Sequence, residues 1–327
     1  MTFRSVGSVV ALVLLVARLA IDAQPAAARI PQVGILSPAP ETAVAGSPYN
    51  VFRDALHELG YVEGKTIAFE FRFANGYARL PELAADLARL HVDVIVTDGG
   101  PAAARAALNA TRNIPIVMGT AGGDPVADGL VTSLARPGGN ITGFLFAPAE
   151  LAGKRLQLLK EMLPSVTRIA VLWDPGTGHP QFRVAEAAAR SLGVQLESLS
   201  VRSPEDLDAA FEIASRQRAG ALLQLSSRML SDNRNAIVER ALKYRLPGMF
   251  ELGFAETGGL ASYGPSVPDN FRRAAVYVDK ILKGARAGDL PVQLPTKFDL
   301  VINLRTARAF GLTIPPSVLL QATRIVE

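Results

Sequence analysis

Apolar and polar positions along the chain fall into two alternating periods from about residue 30 onward. Short apolar runs of strand length, Val33-Gly34-Ile35-Leu36, Val92 to Val96 and Ile114 to Met118, are each followed by a turn and then a stretch of helical period. The segment Leu80 to Leu90 is typical of the helices, with Leu83, Leu87 and Leu90 expected on one face. Strands that read as continuous apolar runs are buried on both faces, so the pattern predicts an α/β fold built on a doubly wound parallel sheet.

The same pattern is written twice. Val33 to Pro38 is echoed by Ala170 to Pro175, and the helix end at Leu59-Gly60 by Leu192-Gly193. Asp93 to Asp98 corresponds to Gly220 to Ser226, Ile114-Pro115 to Leu246-Pro247, and Asp128 to Ser133 to Gly258 to Tyr263. Landmarks in one order at a nearly constant offset predict two similar doubly wound parallel-sheet lobes. Residues 264–327 are surplus to the repeat: a helix near Asn270 to Leu282, a Pro-rich stretch at Leu290 to Pro295, a strand at Lys297 to Ile302 and two short helices. Asn303 is placed to cap the first of these and Pro315-Pro316 to open the second. The surplus implies that the chain returns to the first lobe and crosses again, making a multi-strand hinge. The expected division is 29–143 with about 265–292 in the N-terminal lobe, and 144–264 with about 293–327 in the C-terminal lobe.

Residues 1–28 have a different character. Arg4 precedes an unbroken apolar run from Val9 to Ala17, Arg18 ends that run, and Ala26-Ala27-Ala28 follows as a small-residue cleavage site. A spanning helix needs about 20 apolar residues, so the segment is read as a cleaved secretory signal peptide and not as an anchor.

Composition narrows the chemistry. The 327 residues are 49% hydrophobic and 20% charged, with 34 Lys and Arg against 30 Asp and Glu. The net charge of +4 is small and the basic residues are scattered, so no nucleic-acid partner is expected. There is no cysteine, which excludes disulfides, thiolate nucleophiles, thiolate metal sites and a lipidated cysteine after the signal. The chain is therefore expected in the periplasm and not as a lipoprotein.

Catalytic and cofactor motifs fail one by one. Gly60 to Thr66 resembles a phosphate loop but has three residues between its glycines where four are needed, and it follows a helix when it should follow a strand. Gly176-Thr177-Gly178 begins like a dinucleotide fingerprint, but position 181 is Gln. His57, His91 and His179 have no metal spacing, and no nucleophile elbow occurs. Asp98, Asp124, Asp174 and Glu251 follow strands and serve either as helix caps or as ligand contacts. No catalytic residue, metal or cofactor is expected.

At this point a resemblance emerges. The segments 58–76, 78–103, 114–126, 129–143 and 258–319 resemble the family of ABC transporter substrate-binding proteins that includes tryptophan- and other aromatic-amino-acid-binding members. The stretches DPV…GLV…SLARPGGN.TG and YVDKILKGA…LPV..PTKF.LVIN carry it. The resemblance implies a type I periplasmic-binding-protein fold, a solute closed between two lobes, and delivery to permease subunits in the inner membrane driven by a separate ATPase. Thr97-Asp98-Gly99-Gly100, Ser226-Ser227-Arg228 and Glu251 to Phe254 depart from the usual pattern in the ligand-facing loops.

In open α/β sheets ligands sit beyond the carboxyl ends of the strands. The helix starts after Ser37-Pro38, after Asp98-Gly99-Gly100 and around Thr120 to Asp124 offer backbone N–H groups to a carboxylate, and Ser37, Thr97 and Thr120 add hydroxyls. Asp124 or Glu251 suits an amino group. Trp173, Phe250 and Tyr263 end strands of the second lobe and either stack on an aromatic solute or pack within the lobe. Arg228 pairs with a ligand carboxylate or with Asp232. Ser226 completes the set, and Tyr49 is a weaker candidate. The function expected is a monomeric receptor that binds a small solute, an amino acid or an aromatic or carboxylated compound, and serves an ABC importer. The alternatives are a sensory receptor for a membrane kinase and a periplasmic enzyme on the same fold.

Overall fold

The computed structural model describes residues 29–41, 48–147, 149–176 and 179–327; the leader read at 1–28 lies outside them. Five apolar runs form a first sheet: β1 (Gln32–Ser37), β2 (Ala68–Phe73), β3 (Val94–Thr97), β4 (Ile116–Gly122) and β5 (Ile141–Ala147). All neighbours are parallel, in the order β2-β1-β3-β4-β5. The central strand β3 is buried at every position, as its unbroken VIVT run requires. The edge strand β2 instead alternates, with Phe69, Phe71 and Phe73 on one face. Phe71 and Phe73 stack 5.8 Å apart at 6°.

Helices α1 (Pro48–Glu58), α2 (Leu80–Arg89) and α3 (Gly100–Ala110) cover this sheet. In α2, Leu80, Leu83, Ala84 and Leu87 face the core at helical spacing. Leu90 does not join them. The helix ends one residue earlier, and Leu90 is a C-cap that is 44% exposed.

The second sheet contains β6 (Arg168–Trp173), β7 (Gln195–Ser200), β8 (Ala221–Gln224), β9 (Gly248–Phe250), β10 (Ala261–Pro265), β11 (Phe298–Asn303) and β12 (Arg324–Val326). Its order is β12-β11-β10-β9-β8-β6-β7. The run β7-β6-β8-β9-β10 repeats the order of the first sheet strand for strand, and β11 adds antiparallel to β10. The helices here are α4 (Leu151–Met162), α5 (His179–Leu192), α6 (Leu207–Arg216), α7 (Arg228–Asp232) and α8 (Arg234–Lys243). One sequence landmark is misaligned. Residues 258–263 lead into β10, whose topological counterpart is β5, whereas 128–133 form a turn between β4 and β5. Buried Leu130 and Val131 give that turn its strand-like apolar pattern.

The tail passes over the first lobe before it joins the second sheet. Helix α9 (Val267–Leu282) packs on the first lobe, where the Phe271 ring meets Tyr49 edge-on at 5.4 Å. The chain then runs beside β5, with Gln293 N–H donating to Gly143 C=O at 2.9 Å and Leu145 N–H to Gln293 C=O at 2.9 Å. From there it enters β11 of the second sheet. Asn303 caps α10 (Leu304–Phe310) by accepting from Thr306 N–H at 2.9 Å, and α11 (Pro316–Leu319) opens on Pro316. Among the described residues the chain passes between the sheets three times: after β5, after β10 and before β11.

Gly143 sits where β5 leaves regular register beside β4. Its φ is +144°, and a Cβ there would lie 2.3 Å from the carbonyl oxygen of Met118. Gly143→Ala is expected to destabilise the chain by about 3 kcal/mol, read from urea unfolding. Gly153→Ala in α4, where a Cβ would make ordinary contact 3.4 Å from Val184, is expected to be neutral or to stabilise by up to about 1 kcal/mol. Equal effects of the two changes would contradict this account of β5.

Candidate functional site

Parallel strands all end on one edge, and both polar clusters of this molecule lie on such edges. In the first lobe the cluster centres on Asp98, the residue after β3. One carboxylate oxygen accepts from the Tyr49 hydroxyl at 2.8 Å and from Ser37 Oγ at 3.5 Å. The other accepts from Thr120 Oγ1 at 2.8 Å and from Gly99 N–H at 2.8 Å. Ser37, Thr97, Asp98, Gly99 and Thr120, all predicted from sequence, are thus brought together at the ends of β1, β3 and β4. Pro38 closes the group. Its ring fills the space beside Gly99, where a Cβ would approach it to 2.4 Å, and Gly99 has a φ of +95°. Thr97 Oγ1 is buried with no hydrogen-bond partner. Burial, followed by the negative charge of Asp98, pushes the Tyr49 phenol far above its ordinary pKa.

In the second lobe the centre is a residue that sequence reading did not single out. Arg155 is on α4 and only 2% exposed. Its guanidinium lies across the carboxyl edge of the second sheet. Nε donates to Tyr263 C=O of β10 at 2.7 Å, and Nη1 donates to Ser226 Oγ beyond β8 at 2.8 Å. Glu251, 8% exposed, follows the intervening strand β9. Its Oε1 accepts from Ser231 Oγ and from Gln224 Nε2, and its N–H donates to Gln224 Oε1 at 3.0 Å. Burial pulls the Arg155 pKa down and the nearby Glu251 charge opposes that shift, yet the two form no ion pair. Gln181, at the start of α5, fixes the Ser226 backbone from both sides at 2.8 and 2.9 Å. Burial also raises the pKa of half-exposed Tyr263, whose ring stacks on Phe298 at 5.8 Å.

The two edges touch. The Arg228 guanidinium, at the start of α7, lies over the ring of Tyr77 from the β2–α2 loop, 4.5 Å from its centroid. Arg228 also pairs with Asp232 at 2.7 Å, the local partner weighed from sequence.

Three predicted residues are placed elsewhere. Asp124 is exposed and accepts from Val126 and Ala127 N–H at 3.0 and 3.2 Å, so it caps its own turn. Phe250, 1% exposed, stacks on Phe254 at 5.0 Å inside the lobe core. Trp173 is 8% exposed, donates to Ser198 Oγ at 2.9 Å and packs on Phe182 at 4.8 Å. A strand-end position fixes the height of a side chain in the sheet but not the face it takes. Arg155 did have a sequence signal: it occupies a position on the same helical face as Leu151, Leu158, Leu159 and Met162, where an arginine is out of place.

A surface depression of about 420 Å³ lies apart from these edges, between α1 and the region before β2, lined by Arg53, His57, Tyr61, Glu63 and Phe69. An Arg53–Glu63 ion pair crosses it. Among the described residues no group of three His, Cys, Asp or Glu is arranged to hold a metal, and no helix is long and apolar enough to cross a membrane.

Comparison with known proteins places these edges in context. The profile of the family described as "ABC transporter substrate binding protein" matches residues 38–326. A "Tyrosine-binding protein" of Clostridioides difficile (strain R20291) is 26% identical over 265 residues, covering 80% of this chain and 75% of the relative. A solved structure of a conserved domain protein from Vibrio cholerae is 29% identical with a TM-score of 0.77, covering 91% of this chain and 100% of its own. The ABC domain in complex with L-Trp from Streptococcus pneumonia is 24% identical with a TM-score of 0.77, covering 90% of this chain and 99% of its own, a likeness of fold. The two lobes are those of type I periplasmic binding proteins.

Tyr49→Phe tests the first-lobe cluster. Removing a hydroxyl that donates to a carboxylate should cost about 1.5–3 kcal/mol at neutral pH. The phenol ionises near pH 10 in the unfolded chain and well above that in the fold, so its contribution is complete below about pH 10 and is lost as pH rises further. The variant should therefore lose stability less steeply than the parent above about pH 10. Matching urea midpoints and matching pH profiles would contradict the role given to Tyr49.

Proposed function

This chain belongs to the family of ABC transporter substrate-binding proteins, and we propose that it is the solute receptor of an importer. In this reading residues 1–28 export it to the periplasm, where it works as a monomer. It closes two lobes around a small organic solute, an amino acid or an aromatic or carboxylated compound, and hands that solute to permease subunits in the inner membrane. The observation that carries the reading is the meeting of two carboxyl edges at Tyr77 and Arg228, with a polar cluster behind each: Asp98 on one side, Arg155 and Glu251 on the other. Relatives named for tyrosine and solved with L-Trp support an amino acid as the solute.

A receptor reading also fits the chemistry of the clusters. Asp98 accepts four hydrogen bonds from its own lobe, and Glu251 is held by Ser231 and Gln224. Such carboxylates orient and complement a solute, and neither stands beside a nucleophile of the serine–histidine kind. Closure on three crossing segments is a hinge motion in which the lobes move as bodies and the edges come together.

The test is a thermal-shift and calorimetric screen of the chain lacking residues 1–28 against amino acids, aromatic acids and other small carboxylates. A true solute at 100 times its dissociation constant should add about 2.7 kcal/mol of stability. It should bind at 1:1 and be recovered chemically unchanged. A solute consumed with product release would support an enzyme instead, and a flat screen would overturn the ligand class.

A further inference from the structure

β2 is the outer strand of the first sheet, and β7 holds the same place in the strand order that the second sheet repeats. The two differ in kind: β7 reads QLESLS, whereas β2 reads AFEFRF and is half-buried at every position. An outer strand bonds its neighbour on one side and leaves the other side of its backbone open, a template for pairing with another chain. Ala68 N–H donates to Pro31 C=O and Ala74 N–H to Ser37 C=O, both at 2.8 Å, so the even-numbered residues of β2 bond toward β1. By the two-residue period of a strand, the N–H and C=O groups of Phe69, Phe71 and Phe73 point away from the sheet. The rings of these three form a ladder on one face, 6.1 and 5.8 Å apart. Glu70 and Arg72 take the other face, 3.4 Å apart, with side chains 37% and 26% exposed. Arg72 Nη1 also donates to the outward Phe71 C=O at 2.9 Å, which puts the guanidinium at the open edge.

The run Phe69-Glu70-Phe71-Arg72-Phe73 is complementary to itself when two copies lie antiparallel. About a two-fold axis at Phe71, the hydrogen-bonded pairs are Phe71 with Phe71 and Phe69 with Phe73, the residues whose backbone groups are open. Between them Glu70 falls opposite Arg72 of the second copy, twice, at the pairs where antiparallel side chains come closest. A slip of two residues, the smallest that keeps the bonds, would set Glu70 against Glu70 or Arg72 against Arg72, so charge selects one register. β7 has no such match, since the same operation about Ser198 sets Glu197 opposite Leu199. We propose that β2 is a self-association edge, joining two copies of this chain through an antiparallel β2–β2 pair into one sheet that is continuous across both first lobes. A pair built on one short strand is at the small end of specific interfaces, so it forms reversibly and leaves the monomer as the unit that takes up and hands over solute. β2 is at the end of its sheet opposite β5 and the crossing segments, so each copy keeps its own pair of carboxyl edges. This inference stands independently of the receptor reading.

Analytical ultracentrifugation of the chain lacking residues 1–28, over a concentration series, tests it. The parent should show a reversible equilibrium between monomer and dimer. Glu70→Arg and Arg72→Glu each set like charges opposite one another at both pairs, and each alone should weaken the dimer at least about 10-fold. Mixing these two variants should restore a dimer with one chain of each, because every pair of positions 70 and 72 across the strands then has opposite charges. A folding defect cannot produce that recovery on mixing. The double variant, which exchanges the two charges within one chain, should pair as the parent does. A parent that stays monomeric up to about 1 mM would overturn the pairing edge. So would single variants that dimerise as well as the parent, or a mixture of the two that stays monomeric.

Discussion

In a parallel sheet every strand ends on the same edge, and the rest of this structure follows from that constraint. The backbone must return over the sheet after each strand, so the turns that carry polar side chains collect at one rim. Two sheets that share one order over five parallel strands give two such rims. Polar groups that no core position would tolerate, such as Asp98 and Glu251, sit there with hydrogen bonds from their own lobe. The touch between Tyr77 and Arg228 joins the rims across the gap.

What holds the two rims in register is the route of the tail. Without α9 the first lobe would lack the ring of Phe271, which packs on Tyr49, Phe52 and the backbone at Gly119. Tyr49 in turn holds Asp98. A residue far along the chain is thus two contacts away from the first-lobe cluster, so the segments that pass between the sheets and that cluster share parts. The strip from Leu290 to Gln293 reinforces this link. Thr142 Oγ1 donates to Leu290 C=O at 2.6 Å, and Tyr277 donates its hydroxyl to Pro291 C=O at 2.8 Å.

Much of the architecture could be read from residue patterns because the physics behind it is local. Unbroken apolar runs mark buried parallel strands, Gly60 and Gly193 end helices with positive φ, and Asn303 caps the helix it precedes. The first-lobe cluster was legible for the same reason, since Ser37, Asp98 and Thr120 stand at or next to strands that point to one rim. The second-lobe cluster was only half legible. Ser226 and Glu251 follow strands and Tyr263 lies within one, but Arg155 reaches the rim from the middle of a helix, and only the packing of α4 on the sheet reveals where its guanidinium goes. Trp173 and Phe250 take the packing alternative that the sequence left open. Both end strands, but their rings turn to the lobe interior, a choice made by neighbours such as Phe182 and Phe254 that lie distant in sequence or on the next loop.

The central claim is that solute is held between the two carboxyl edges by groups from both lobes. A crystal structure of the chain with a solute found by screening tests it most directly. The account predicts density between the edges, with polar atoms of the solute within hydrogen-bond distance of Arg155 and its body against Tyr77. Density confined to the outer depression beside Arg53 and His57, or contacts made with one lobe alone, would contradict it.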